Sequence, residues 1–373
     1  MTGANFGDEG KGLAVDHFCG TGESSLVVRH NGGAQAGHTV ENEGRRFVFH
    51  QLSSGSFRRG ATFLAHTFKP DLFKLRSEYS DFYSLSGIRP AVYGDNRARI
   101  TIPDDVILNM ALETSRGSDR HGSCGMGIYE SVLRDEAGFP LTVGRLAGMS
   151  ARELYLLLSH IRREYSRPRA ELLGSDNLLK NSADEILRGL ELIKPGESLK
   201  ALTGKYEITV FEGAQGLLLD SENESFAPHV TASRTGLHNP LKLCEECGIA
   251  LGLAVYVMRS YVTRHGAGPL PCECDRTVLG DIGPDPTNVE NRWQGRIRYA
   301  FYPSVGELAG AVLGDLSGKE AEAALLVTHL NETNGMVRFL HGDVPACELT
   351  AREEFSGRVK RIFRSYSPCS VIE

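Results

Sequence analysis

Three apolar runs of strand length constrain the fold most: Tyr206 to Phe211, Ile249 to Met258 and Ala323 to Thr328. Each breaks into a polar or glycine-rich turn, the pattern of strands buried on both faces. Such strands need helices above and below, and the chain supplies helical patterns between strand-like runs. Leu26 to His30, Phe47 to Leu52 and Ala61 to Ala65 read as further strands. Asp104 to Ser115 and Ser182 to Leu192 read as helices, and Ser150-Ala151-Arg152-Glu153 opens another with a capping box, running to about Arg163. The alternation predicts an α/β fold with a central, mostly parallel sheet flanked by helices. Ligands in such sheets bind at loops leaving the carboxyl ends of strands. No repeat or low-complexity linker interrupts the pattern, so residues 1–373 are read as a single catalytic domain. Only Met1 to Asn5 precede the first glycine turn, so either the first strand is very short or further residues precede it.

Composition narrows the function. Hydrophobic content of 41% and charged content of 24% are ordinary for a soluble globular protein. The net charge of −6 argues against general binding to nucleic acid or an anionic membrane. No apolar run approaches a membrane span, and the N-terminus has no signal-peptide pattern. Eight scattered cysteines then suggest reduced thiols and a cytoplasmic setting. Cys244, Cys247, Cys272 and Cys274 could bind zinc as four thiolates, but the second pair has a shorter spacing than structural sites use. Ordinary buried thiols are the simpler reading.

Two glycine-wrapped segments carry the chemistry. Phe6-Gly7-Asp8-Glu9-Gly10-Lys11-Gly12 offers backbone N–H groups for phosphate oxygens, a lysine charge, and a carboxylate that can act as base or magnesium ligand. It is not a Walker A loop, because Asn5 stands where the first glycine belongs and Gly12 replaces Ser/Thr. Gly32-Gly33-Ala34-Gln35-Ala36-Gly37-His38-Thr39 wraps a histidine in the same way. Each alone reads equally well as a bland glycine turn; together they make phosphoryl chemistry the leading reading. Three more segments join them: Phe211-Glu212-Gly213-Ala214-Gln215-Gly216, Thr263-Arg264-His265-Gly266-Ala267-Gly268-Pro269, and Asn291-Arg292-Trp293-Gln294-Gly295-Arg296-Ile297-Arg298. In the last, Arg296 and Arg298 are spaced to clamp a small dicarboxylate, with a solvated basic turn as the plain alternative.

In order and along nearly the whole chain, these segments, with Val230-Thr231-Ala232-Ser233, resemble adenylosuccinate synthetase. The resemblance implies a distant P-loop analogue working as a homodimer with Mg²⁺. It implies Asp8 as the base that removes the purine N1 proton and as a metal ligand, His38 as the acid at the β–γ bridging oxygen, and Lys11 as a catalytic charge. Gly7, Asp8, Glu9, Gly10, Lys11, Gly12, Gly37, His38 and Thr39 would hold the triphosphate, and the Gly37 carbonyl would reach the metal. Asp8, Gln35, Ser123, Arg134, Gln215, Thr231 and Arg264 would hold the purine monophosphate, with Arg134 near the arginine that reaches across the dimer. Gln294, Gly295, Arg296 and Arg298 would occupy the L-aspartate site.

The chain departs from that family at informative places. A Thr-Lys-Leu-Asp run that recognises guanine is Thr328-His329-Leu330-Asn331 here. Asn331 can donate to and accept from adenine but cannot offer guanine two charged acceptors, so ATP or dATP is the expected phosphoryl donor. The Gly-Pro closing the base pocket is Ser367-Pro368, and Gln35 stands where Asn is usual. A shortened chain with this pocket and Gln-Gly-x-x-Arg in the aspartate loop looks like the phage branch, which joins aspartate to dGMP for 2-aminoadenine DNA. The expected function is therefore a C–N ligase forming an N6-succinyl purine nucleotide from dGMP. The alternatives are ordinary adenylosuccinate synthetase acting on IMP with GTP, and a non-catalytic purine-nucleotide sensor.

Overall fold

A computed structural model describes residues 1–117, 121–169, 176–194, 196–285, 287–288, 290 and 293–373. Its centre is a pair of five-stranded sheets lying edge to edge. The first runs Ile193–Lys194, Val92–Gly94, Ala61–Leu64, Ser25–Arg29 and Ile208–Glu212, parallel throughout. The second runs Thr2–Gly3, Leu253–Arg259, Glu322–Thr328 and Val359–Ser367 in parallel, and Ser370–Ile372 closes it antiparallel. The expected α/β architecture with a mostly parallel sheet is therefore what the chain adopts.

The join between the sheets matters for the site. The first strand is only two residues long, Thr2–Gly3. It pairs with Leu253–Arg259 on one side and bridges Gly216 on the other, while Gly213 N–H donates to the Met1 carbonyl. Glycine is required at both contacts: a Cβ on Gly3 would fall 2.8 Å from the Gln215 carbonyl oxygen, and one on Gly216 2.3 Å from that of Asn5. The seam brings the glycine loop at 7–12 beside the turn at 213–216.

Helices cover both faces. Lys11–Cys19 follows the glycine loop directly. Ala151–Ile161 begins at Ser150 with the predicted capping box: Ser150 Oγ accepts from Glu153 N–H and the Glu153 carboxylate accepts from Ser150 N–H at 2.8 Å. Pro103–Arg116 extends the predicted Asp104 to Ser115 helix by one residue at each end, because Pro103 suits a first helical position. The strand predicted at Phe47 to Leu52 is instead Arg45–Phe49, paired antiparallel with His38–Asn42 as a hairpin outside the sheet. Cys244 and Cys247 pack in the apolar cluster with Leu26 and Phe211, whereas Cys274 lies against a different cluster around Tyr261. Among the described residues no helix is long and apolar enough to cross a membrane.

Candidate active site

A cavity of about 960 Å³ opens above the carboxyl ends of the central strands. The glycine loop, the hairpin, and the turns at 213–216, 228–232 and 264–267 meet there. Helix Lys11–Cys19 points its N-terminus at it, an arrangement that favours anions through free N–H groups and the helix dipole. Gly12 lets the two glycine motifs touch: a Cβ there would lie 2.7 Å from the Thr39 carbonyl oxygen and 3.2 Å from the His38 backbone.

Asp8 sits in this loop with φ 60°, in left-handed backbone space that Asp tolerates better than most residues. Its carbonyl oxygen accepts from Arg259 Nε at 2.5 Å, which fixes the turn. Burial pushes the Asp8 carboxyl above its ordinary range, and the Arg259 and Lys11 charges work against that shift. Glu9 behaves differently. Its carboxylate turns inward, accepting from Asn5 N–H at 3.1 Å and Gly7 N–H at 2.8 Å and pairing with Lys11 Nζ at 2.9 Å. Glu9 thus braces the loop and aims the lysine; its carboxylate is spent before any ligand arrives.

His38 lies on the cavity wall with Nδ1 2.5 Å from Glu212 Oε1. Arg29 pairs with the same carboxylate at 3.0 Å, and Ser54 donates to it through both N–H and Oγ. Glu212 and Arg29 are fully buried. Burial drives the Glu212 carboxyl upward, but Arg29 and His38 more than reverse it and leave it strongly depressed. The His38 imidazole is pushed down to about 4 by burial, against the pull of Glu212. With Nδ1 engaged, Nε2 is the nitrogen left for a ligand, the logic of a carboxylate-oriented catalytic histidine.

Most of the other expected residues line the same cavity: Gly7, Gly10, Lys11, Gln35, Gly37, Thr39, Ser123, Gln215, Thr231, Arg264 and Gln294, together with Asn331, Ser367 and Pro368. The side-chain oxygens of Gln35 and Gln215 are buried there without a partner. Arg264 packs its guanidinium over Phe6 and Phe226, with centroid distances of 4.6 and 5.5 Å. Burial and the neighbouring Arg298 lower it to about 10.

Three sets of expected residues lie away from the cavity. Arg134 is completely buried, bonded to Asp105, to Asp135 and to the carbonyls of Ile100 and Phe139, so its guanidinium is a core strut rather than a reaching arm. Arg298 pairs with Glu273 and donates to the carbonyls of Gly266 and Gly268. It stands opposite Arg264 across the antiparallel pair Val262–His265 and Ile297–Ala300, where like charges repel, and Glu273 neutralises it away from the cavity. Arg296 is exposed and Gly295 meets His265 Nε2 through its carbonyl at 3.0 Å, so of the expected aspartate set Gln294 alone lines the cavity. Asn291 and Arg292 lie outside the described residues.

The adenylosuccinate synthetase family model matches residues 1–293. The chain belongs to that family. Among curated relatives, the adenylosuccinate synthetase of Azobacteroides pseudotrichonymphae is 28% identical over 300 residues, spanning 79% of this chain and 69% of the relative. That of Chlorobium chlorochromatii is 29% identical over 309 residues, 76% of this chain and 67% of the relative. Among solved structures, the fully ligated adenylosuccinate synthetase of Plasmodium falciparum superposes with a TM-score of 0.70 at 20% identity, covering 88% of this chain and 76% of that one. The succinoaminodeoxyadenylate synthetase of cyanophage S-2L, bound to dGMP and dATP, gives a TM-score of 0.62 at 15% identity over 100% and 93% of the two chains. The chain is thus one of a family of C–N ligases, and Asn331, Ser367 and Pro368 lie beyond the matched span.

For this family member, motif reasoning missed Arg259 and gave Glu212 no role. Both are charges at the end of an otherwise apolar buried strand. A charge placed there must be paired, which is the signal that could have found them. Arg259 also holds Asp285 Oδ2 at 3.0 Å. That anchors a loop whose Thr287 hydroxyl bonds Thr39 at 3.0 Å and Arg46 at 2.5 Å. The loop lines the cavity mouth and ties to the hairpin that carries His38.

Proposed function

We propose that this protein is a ligase that joins L-aspartate to C6 of dGMP with ATP or dATP as phosphoryl donor. The observation that carries it is the convergence on one cavity of Asp8, Lys11 and His38 with the nucleotide-facing groups Ser123, Gln215, Thr231 and Asn331. O6 of a purine is a poor leaving group, so it is first turned into phosphate by γ-phosphoryl transfer and then displaced by the amine of aspartate. Asp8 takes the N1 proton and Lys11 holds charge at the phosphates; His38, held at Nδ1 by Glu212, gains a second proton at Nε2 when the triphosphate's negative charge is bound, and gives that proton to the β–γ bridging oxygen. Gln294 lines the cavity where aspartate would sit, and holding it there converts a bimolecular attack into an effectively unimolecular one.

Magnesium fits the site: the Asp8 carboxylate and Gly37 carbonyl are hard oxygen donors among the residues lining the cavity, and a carboxyl raised by burial gains from a nearby cation. When bound, the ion neutralises charge developing on the phosphates. The adenine-type donor rests on Asn331 beside Ser367 and Pro368. The pair dGMP and dATP is the one carried by the cyanophage fold neighbour. The homodimer that the resemblance implies belongs to the same reading. A second reading, IMP with GTP, is favoured by the retained Asp8 and by curated relatives that are adenylosuccinate synthetases.

Phosphate release measured across dGMP, GMP and IMP, each with ATP, dATP and GTP, separates the two. Turnover with dGMP and an adenine donor is the expected result. Turnover confined to IMP with GTP overturns both substrate and donor.

A further inference from the structure

With Arg134 withdrawn into the core, the loop Gly122–Gly125 needs another source of positive charge if it is to hold a phosphate. Gly122 and Gly125 adopt φ of +86° and +74°, and a Cβ on Gly122 would fall 2.7 Å from Ala267 N. Ser123 Oγ donates to Asn109 Oδ1 at 2.7 Å, and Gly122 N–H donates to Glu113 Oε2 at 3.2 Å. The other oxygen of Glu113 binds Arg116 Nη1. Asn109, Glu113 and Arg116 are four and three residues apart on helix Pro103–Arg116, hence on one face, and all three line the cavity beside Ser123.

One carboxylate therefore orients both the loop and a guanidinium. The Glu113 side chain is 1% exposed, whereas Arg116 keeps 27% of its side chain open. Among the described residues its other N–H groups meet no protein acceptor, which leaves them for an anion seated on the loop. A braced guanidinium beside a glycine-serine loop is suited to a phosphate dianion, which takes paired donors and backbone N–H groups together.

We propose that Arg116 binds the 5′-phosphate of the purine monophosphate, supplied in cis from the helix next to the loop, with Glu113 as its positioning residue. The assignment rests on the purine-monophosphate reading above. It follows that substrate affinity depends on a residue outside every glycine motif.

The test compares wild type, Arg116→Gln and Arg116→Lys by calorimetric titration with dGMP and with ATP, and by saturation-transfer NMR with deoxyguanosine, which lacks the phosphate. Arg116→Gln should weaken dGMP about 10- to 100-fold while ATP and deoxyguanosine bind as in wild type. Arg116→Lys should recover part of the loss, since it keeps the charge but not the fork. Unchanged dGMP affinity in Arg116→Gln overturns the proposal, and so does an equal loss for all three ligands, which would mark a structural role. If the wild type binds none of dGMP, GMP and IMP, the functional reading itself falls, a result distinct from either.

Discussion

Replacing Asp8 by Asn isolates one carboxylate with little change of shape. Asn accepts the φ of 60° at this position as readily as Asp, and the Arg259 contact is to the backbone oxygen, so the turn should survive. On the proposed function, the variant loses the base at N1 and a charged metal ligand. General-base catalysis is typically worth about 10²- to 10⁴-fold, so turnover should fall by at least that much. Stability should move the other way. Burial raises the Asp8 carboxyl, so the folded state favours its protonated form, and the stability tied to it is lost as pH rises past the ordinary carboxylate value. At pH 7 Asp8→Asn removes that penalty and should melt at the same temperature as wild type or higher. Phosphate release with dGMP, aspartate and ATP, beside calorimetric melting, reads both effects. A variant within tenfold of wild-type turnover would refute the base role, and one that melts several degrees lower would show the carboxylate to be a structural group.

Two further outcomes follow from the site. Asn331→Asp should shift the ratio of kcat/KM for ATP over GTP toward GTP by roughly 10- to 100-fold, because a carboxylate accepts two charge-assisted bonds from guanine; an unchanged ratio would place the donor base elsewhere. The imidazole of His38 is held near 4 when folded against an ordinary 6.5. Below 6.5 the unfolded chain binds a proton that the folded one refuses, so wild type should lose stability relative to His38→Gln between pH 6.5 and 4, by about 3 kcal/mol. Parallel curves in denaturant titrations across that range would contradict a buried neutral imidazole.

Much of the cavity was legible from residues alone because its backbone requirements are local. Gly7, Gly10 and Gly32 turn the chain through positive φ, and Gly12 lets it approach the Thr39 backbone, requirements that glycine meets and that show in the residues without any tertiary information. The strand ends at Phe211, Met258 and Thr328 were read within a residue or two, since a both-sided burial pattern is written into consecutive side chains. What could not be read was which charged groups face the ligand. Arg134 and Arg116 look equally suitable along the chain, and each sits in the last turn of a helix. One finds Asp105 and Asp135 and disappears into the core, while the other keeps an open side toward the cavity.

By itself, then, the order of residues determined the alternation of buried strands and helices and the two glycine-wrapped loops that meet over them, because hydrophobic period and backbone freedom act over a few neighbours. Tertiary structure alone decided the charge pairing. Glu212 reaches His38 across 174 positions and Arg259 reaches Asp285 across 26. A buried charge is stable only beside its partner, and that partner is fixed by how the sheets join rather than by anything nearby in sequence.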